Sequence, residues 1–373
     1  MSPIINKRYR ASAMVQFAKI RDYVEPIIDS IATHDMTVEE ADGVHHIRSP
    51  FGTATFETTG NGFRLTAEAR DAGGLNRLKH ALVGPIGFIA AREDLEIQWE
   101  GDYAEPALPA DLRIMHVKSV ENIAPRLRRI VFRGENLERY DRNDQFHCRL
   151  IFQPRGTVEP RWPMLDHRGH VVWPDDKAVP TRVYTIRHID AAAQDITIDF
   201  ALHAEPGPAT RWAIDARPGD LAGILGPAAN GPKHAEFHVL VGDETALPGI
   251  ARILENLPAT ATGHAFIEVD TKADELPLRC PSGMAVAWLH RNGADAGTTT
   301  LLEDRIRTIK WPEQLDAVFV WGGCEHRAFS AIHRHLKKDT GLSRDRFVLY
   351  SHWHKHLSEE DIIATGADAY LPQ

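Results

Sequence analysis

From residue 236 onward, apolar runs alternate with helical patterns: FHVLVG, ALPGIARILENL, GHAFIEVD, MAVAWLHR, DAVFVWGG, HRAFSAIHRHLKKD and RFVLYSHW. A half-exposed strand alternates apolar and polar residues, but these runs are apolar almost throughout. Strands of that kind, separated by helices, demand a parallel sheet covered on both faces. The spacing therefore predicts an α/β domain over 235–357. A tail, 358–373, follows it. SEED begins a short helix there, with Ser358 as its N-cap and acidic residues in the first turn. Ligands of open parallel sheets lie beyond the carboxyl ends of the strands, so the residues that follow each apolar run carry the interest.

The middle of the chain has another texture. Short β runs at 115–120, 127–133, 146–152, 182–189, 195–201 and 221–225 are separated by turns, with little helix between them. That spacing predicts an antiparallel barrel or sandwich over 112–232. Residues 1–105 read as a small α+β domain. It has a helix over 14–31, β runs at 44–47 and 52–58, a Gly60-Asn61-Gly62 turn into 63–67, a helix over 74–82 and a strand over 95–99. The Pro- and Ala-rich stretch 101–111 lacks periodicity and reads as a linker. The fold class is thus multi-domain α+β.

Length and charge narrow the function. A chain of 373 residues has room for two or three domains. A formal net charge of -9 argues against nucleic acid, whose phosphates call for a basic face. No apolar run approaches the ~20 residues that span a bilayer. The N-terminus lacks the apolar core of a signal peptide. Cys148, Cys280 and Cys324 lie far apart, without C-x-x-C or zinc spacing. The cytoplasm is the expected compartment.

Five stretches carry candidate chemistry. The first is Arg182-Val-Tyr184-Thr185-Ile-Arg187, in a predicted barrel strand. It offers an aromatic face, a hydroxyl and cations, the groups a flavin needs for its ring and phosphates. From the pattern alone, an amphipathic strand with two surface arginines is the stronger reading. The second is Asp199 to His203, then Gly207, Ala209, Thr210 and Trp212. A small-residue turn entering a helix presents free N–H groups to a pyrophosphate, or is a plain capped turn. The third is Gly242, Asp243, Glu244 and Thr245, at the end of the first α/β strand. No G-x-G-x-x-G occurs anywhere. The fourth is Trp321, Gly322, Gly323, Cys324 and Glu325, whose glycines suit a nicotinamide crossing the sheet edge. Cys324 is either a soft neighbour at a helix start, where thiol pKa values fall, or a buried structural cysteine. The fifth is His352-Trp353-His354-Lys355-His356. If extended, it sets three histidines on one face; with twenty histidines in the chain, a solvated basic edge is the stronger reading.

In order along the chain, RVYTIR, DFALH with GPATRW, VLVGDETALPGIARILENLP, MAVAWLHRNG and VFVWGG before an acidic residue resemble the siderophore-interacting protein family of flavin-dependent ferric-siderophore reductases. The likeness runs from about Ile114 to Lys355. It implies a FAD-binding barrel and a nicotinamide-binding α/β domain, as in ferredoxin reductases. FAD would be held by Arg182, Tyr184, Thr185, His203, Gly207, Ala209 and Thr210. NAD(P)H would meet Gly242 to Thr245 and the turn from Trp321 to Glu325. SPFGTATFE and REDLEIQWEGD resemble an uncharacterised α+β domain often fused to the family. Cys324 stands where the family usually has glycine, and the family's aromatic-Trp-basic segment is His352-Trp353-His354 here.

The resemblance implies a ferric siderophore or other ferric chelate as substrate. An acidic protein needs a local basic pocket to attract such anions. Arg149, Arg182, Arg187, His352, His354, Lys355 and His356 are the candidates, with reduction expected to improve as pH falls through the histidine range. A monomer with no catalytic side chain and no protein-bound metal is expected. A carrier without nicotinamide chemistry and a reductase working through a ferredoxin-like electron partner are the other readings.

Overall fold

The computed structural model describes residues 8–32, 36–103, 105–202, 207–358, 361–362 and 365–366. Its chain builds three sheet systems in succession.

The first is a six-stranded sheet ordered β2-β3-β4-β5-β1-β6, made of β1 (Tyr9–Gln16), β2 (Thr37–Ala41), β3 (Val44–Ser49), β4 (Gly52–Thr59), β5 (Gly62–Ala69) and β6 (Glu100–Gly101). Helices α1 (Ile20–Ile31) and α2 (Ala72–Ile89) pack against it. The helix expected over 14–31 starts late. Ala11, Ala13 and Val15 are buried while Arg10, Met14 and Gln16 are exposed, a period of two, and β1 pairs with both β5 and β6. The strand expected over 95–99 is irregular, and the pairing begins at Glu100. Asp71 caps α2 by accepting from the Gly74 N–H at 2.7 Å.

The presumed linker is anchored. Ala107 exchanges two backbone hydrogen bonds with Leu165. Asp111 is buried and takes both arms of Arg77, at 2.9 and 3.0 Å. A paired, buried carboxylate of this kind fixes the chain where composition alone predicts freedom.

The second system is a closed antiparallel barrel ordered β12-β13-β8-β7-β14-β9. Its strands are β7 (Arg113–Ala124), β8 (Leu127–Gly134), β9 (His147–Phe152), β12 (Thr181–Asp190), β13 (Asp195–Ala201) and β14 (Leu221–Ala228). A small ribbon of β10 (Met164–Leu165) and β11 (Val171–Val172) lies between β9 and β12 in sequence. Met115, Ile130, Phe132, Leu150, Phe152, Ile198 and Phe200 belong to the barrel's core. Helix α3 (Pro208–Asp215) precedes β14.

The third is a five-stranded parallel sheet ordered β17-β16-β15-β18-β19, from β15 (Phe237–Gly242), β16 (Thr262–Val269), β17 (Gly283–His290), β18 (Val318–Glu325) and β19 (Phe347–Trp353). Two separate cores account for its all-apolar strands. Leu240, Ile267 and Trp321 pack with α4 (Leu247–Asn256). Val239, Val241 and Val320 pack with α5 (Leu301–Ile306) and α6 (His326–Lys338).

Helix α4 also ties the sheet to the barrel. Arg252 Nη1 donates to the Ile186 carbonyl at 2.7 Å and its Nη2 to that of Arg142. Arg187 and Glu255 form a two-armed ion pair at 2.6 and 2.7 Å.

Candidate functional site

The strand order reverses between β15 and β18, since the chain leaves one toward β16 and the other toward β19. Such a reversal opens a crevice at the carboxyl ends of the two strands. Gly242 and Gly323 are register partners there. A Cβ on Gly242 would lie 2.4 Å from the Gly323 carbonyl oxygen, so only glycine permits this approach.

Asp243 organises the crevice. Its Oδ1 accepts from the Thr245 N–H at 2.9 Å and the Thr245 hydroxyl at 2.5 Å. Its Oδ2 accepts from the Glu325 N–H at 3.1 Å and Trp353 Nε1 at 2.9 Å. Thr245 Oγ1 in turn lies 3.0 Å from His352 Nδ1. The His352 ring rests on Gly323, where a Cβ would stand 2.3 Å from Cε1. Residues expected at the ends of three separate strands thus meet in one hydrogen-bonded group.

The barrel faces this group through His147, the first residue of β9 and the cross-strand partner of Thr185. Its ring packs among Phe146, Trp321, Tyr350 and His352, with centroids 5.2 to 6.2 Å apart. Trp321 Nε1 and the Tyr350 hydroxyl both donate to the Asn230 carbonyl. His147 is buried, and among the described residues neither of its ring nitrogens has a hydrogen-bond partner; His352 Nε2 lacks one too. Burial, with His352 and Arg252 adding to it, pushes His147 down to about 3. Burial also lowers His352, with Asp243 opposing. Lowered values leave both rings neutral near pH 7, so a gain of positive charge on these histidines with falling pH is not available in the way the sequence suggested.

On the barrel, Tyr184 is half-buried, with its ring 4.5 Å from Phe200. Thr185 is buried. Arg182 Nη1 donates to the Thr181 carbonyl, and Arg149 Nη1 to the Thr181 hydroxyl. Gly207 is the N-cap of α3 and supplies no side-chain cap; Pro208 follows, then buried Ala209 and Thr210. Among the described residues, the first N–H groups of this helix are therefore without a side-chain cap. Trp212 packs on Phe132 and Phe152, and its Nε1 donates to the Gln153 carbonyl at 2.9 Å. His203 lies outside the described residues.

Other candidates are engaged elsewhere. Asp199 is buried and takes both arms of Arg129, at 2.7 and 2.8 Å, which makes it a barrel ion pair rather than a free ligand. Arg187 is held by Glu255. Glu244 is locked to buried Arg291. Glu325 caps α6 through the Arg327 N–H at 2.7 Å. Lys355 reaches Asp295 at 3.1 Å. The three histidines do not share a face: His354 stacks on His326 at 4.0 Å, beyond a register shift between β18 and β19, while His352 turns to Thr245. Cys324 is no softened thiol. It is buried in the α5–α6 core, where desolvation and Asp243, Glu268, Glu325 and Glu303 push it well up. A cavity of about 570 Å³, lined by His80, Ile86, Glu96, Arg168 and His170 among others, opens beside α2 rather than at this crevice.

Sequence reading missed His147, Tyr350 and Arg252. His147 is one histidine in twenty at the start of an apolar run, and only the barrel closure brings it to the sheet.

The siderophore-interacting protein model matches residues 235–356, and the siderophore-interacting FAD-binding domain model matches 116–231. A model of an uncharacterized protein conserved in bacteria (DUF2218) matches 12–100. A solved siderophore utilization protein from T. fusca is 35% identical, with a TM-score of 0.57 over 69% of this chain and 96% of its own. The chain is a member of the siderophore-interacting protein family. Among relatives of this family, ferric vibriobactin reductase ViuB of Vibrio cholerae is 28% identical over 66% of this chain and 91% of its own. The uncharacterized protein Rv2895c of Mycobacterium tuberculosis is 31% identical over 67% and 92%.

The family's FAD fits the residues present. The α3 start, without a side-chain cap among the described residues, suits a diphosphate, Tyr184 offers a ring face, and His147 has buried nitrogens with no partner among the described residues.

Proposed function

We propose that the chain is a FAD-dependent NAD(P)H:ferric-siderophore reductase that releases iron as Fe(II) in the cytoplasm and works as a monomer of three domains. The observation that carries the reading is the meeting of the barrel edge, Thr185 and His147, with the switch edge, Gly242, Asp243, Thr245 and Gly323. Relatives named ferric vibriobactin reductase, ferric acinetobactin reductase and, in Escherichia coli, NADPH-dependent ferric-chelate reductase support the substrate class.

In this reading Arg182 and the start of α3, with Ala209 and Thr210, take the FAD diphosphate, while Tyr184 and Thr185 lie against its ring. When bound, FAD supplies the conversion between a two-electron hydride donor and a one-electron ferric acceptor. Gly242 and Gly323 let a nicotinamide lie close to the sheet edge, and Asp243 holds the loop that borders it. Phe146, Trp321 and Tyr350 keep water out of the contact. Fe(II) is softer and less charged than Fe(III), so hard siderophore oxygens hold it more weakly and the reduced ion leaves. Arg149 is the basic side chain offered to an anionic chelate; Lys355, already shared with Asp295, adds less.

The carrier alternative drew on Cys324 in place of glycine. Its side chain sits in the α5–α6 core, which leaves Gly323 to line the crevice and removes that support. The test is direct. Purified protein should show flavin absorption, lose it on anaerobic mixing with NADH or NADPH, and regain it when a ferric siderophore is added, with Fe(II) captured by a chromogenic chelator. Absence of flavin bands after FAD soaking would end the proposal. Turnover only with an added ferredoxin-like protein would make that protein the electron partner.

A further inference from the structure

Reductase chemistry at this crevice has a proton to dispose of. Balanced, NAD(P)H and two Fe(III) give NAD(P)⁺, two Fe(II) and one H⁺. The donor loses two electrons and the irons gain them, so one proton per turnover must leave an interface lined by buried rings. Resting on the reductase reading above, we propose that His352, with its tautomer held by Thr245 and Asp243, is the proton carrier of the crevice and takes up the proton at Nε2.

Hydrogen-bond accounting fixes the direction. A threonine hydroxyl has one hydrogen. At 2.5 Å from Asp243 Oδ1 it donates to the carboxylate, which has no hydrogen to give. Toward His352, 3.0 Å away, Thr245 therefore accepts, and the histidine carries its hydrogen on Nδ1. Nε2 is then a bare lone pair. It is buried, and no group among the described residues satisfies it. A histidine built this way is a base with its tautomer set from behind. A proton arriving at Nε2 forms one N–H bond, and the resulting positive charge is balanced by Asp243 through the threonine. The proton returns to water from the same atom when product leaves the crevice.

The surroundings agree. Asp243 and Thr245 face His352 from the end of β15, His147 faces it from β9, and Arg252 stands behind His147 on α4. His147 has no carboxylate opposing the loss of its charge, whereas Asp243 stands behind His352 through Thr245, so His352 is the carrier. The bare Cα of Gly323 gives the His352 ring its seat.

Two measurements decide it. In ¹⁵N-histidine NMR of the full chain, His352 should be the Nδ1–H tautomer, its Nε2 resonance should move when FAD is added, and Thr245→Val should mix the tautomers. An Nε2–H tautomer in the unaltered chain overturns the proposal. In stopped flow, holoprotein reduced with dithionite, which needs no nicotinamide, is mixed with a ferric chelate. Its reoxidation should accelerate several-fold as pH rises through the titration of His352, which burial sets below the ordinary histidine value, with the rate level near pH 7 and above. His352→Gln should flatten that rise, and added imidazole should restore it. An unchanged pH profile in His352→Gln overturns the carrier role. Failure of NAD(P)H to bleach the flavin, with the dithionite profile intact, counts against the nicotinamide reading and leaves the carrier role supported.

Discussion

Two places on one sheet edge handle buried polar atoms in opposite ways. Beyond β17, Arg291 has a side chain only 2% exposed, gripped by Glu244 and lying 3.5 Å from Glu268, which also accepts from Thr299 at 2.9 Å. Between β9, β18 and β19, the buried groups are uncharged rings, and His147 and His352 leave nitrogens open. Charges that lock one another make a frame with nothing to offer a ligand. Neutral groups with unused lone pairs make a place where something else must complete the bonding. The contrast separates scaffold from site among residues that look alike in sequence, because GDET contributes Glu244 to the first and Asp243 and Thr245 to the second.

The contrast breaks first at Arg291. Arg291→Met strands two buried carboxylates, and such losses cost about 3–5 kcal/mol. Urea denaturation should register that drop; a change under about 1 kcal/mol would make the knot dispensable. Next comes Gly323→Ala, whose Cβ would displace the His352 ring. Misplacement of about an ångström at a reacting centre costs on the order of 10²-fold, so flavin bleaching by NAD(P)H should slow by about that factor; an unaltered rate would detach His352 and Gly323 from the site.

Glu268 gives a pH-dependent test. Burial raises it to about 7, from an ordinary value near 4.5. A raised carboxyl is protonated more readily when folded, so its contribution is full below about pH 4.5 and is lost as pH rises through about 7. Glu268→Gln keeps the Thr299 bond and cannot ionise. It should match the parent near pH 4.5 and exceed it by roughly 1–3 kcal/mol at pH 8; equal stability at both would show that Glu268 stays neutral or is fully paired. Smallest is Arg187→Ala, which loses a partly exposed pair worth about 1 kcal/mol. FAD affinity, read by fluorescence titration, should hold. A large loss would return Arg187 to the cofactor.

Much of the architecture was readable because it is written in periodicity. The all-apolar runs of β15, β16 and β18 became a sheet with a core on each face, and the barrel strands fell within a few residues of expectation. Period-two burial in β1 was misread because Val15 and Phe17 continue into the apolar spacing of α1. At the candidate site, the position of Gly242, Asp243, Thr245 and Gly323 at strand ends was legible from the apolar runs that precede them. Asp199 and Arg187 are engaged by Arg129 and Glu255, and no sequence signal announced those partners, because an ion pair and a ligand use the same side chains. His147 had no local signal at all, since its neighbours come from strands about 170 to 200 residues further along.

The fastening of α4 to the barrel has a kinetic consequence. Arg252 grips two barrel-side carbonyls and Glu255 grips Arg187, so the two walls of the crevice are held by four contacts from one helix. A donor and an acceptor placed on those walls would keep a constant separation through each cycle. Turnover would then be governed by the arrival and departure of small molecules rather than by the swinging of one wall against the other.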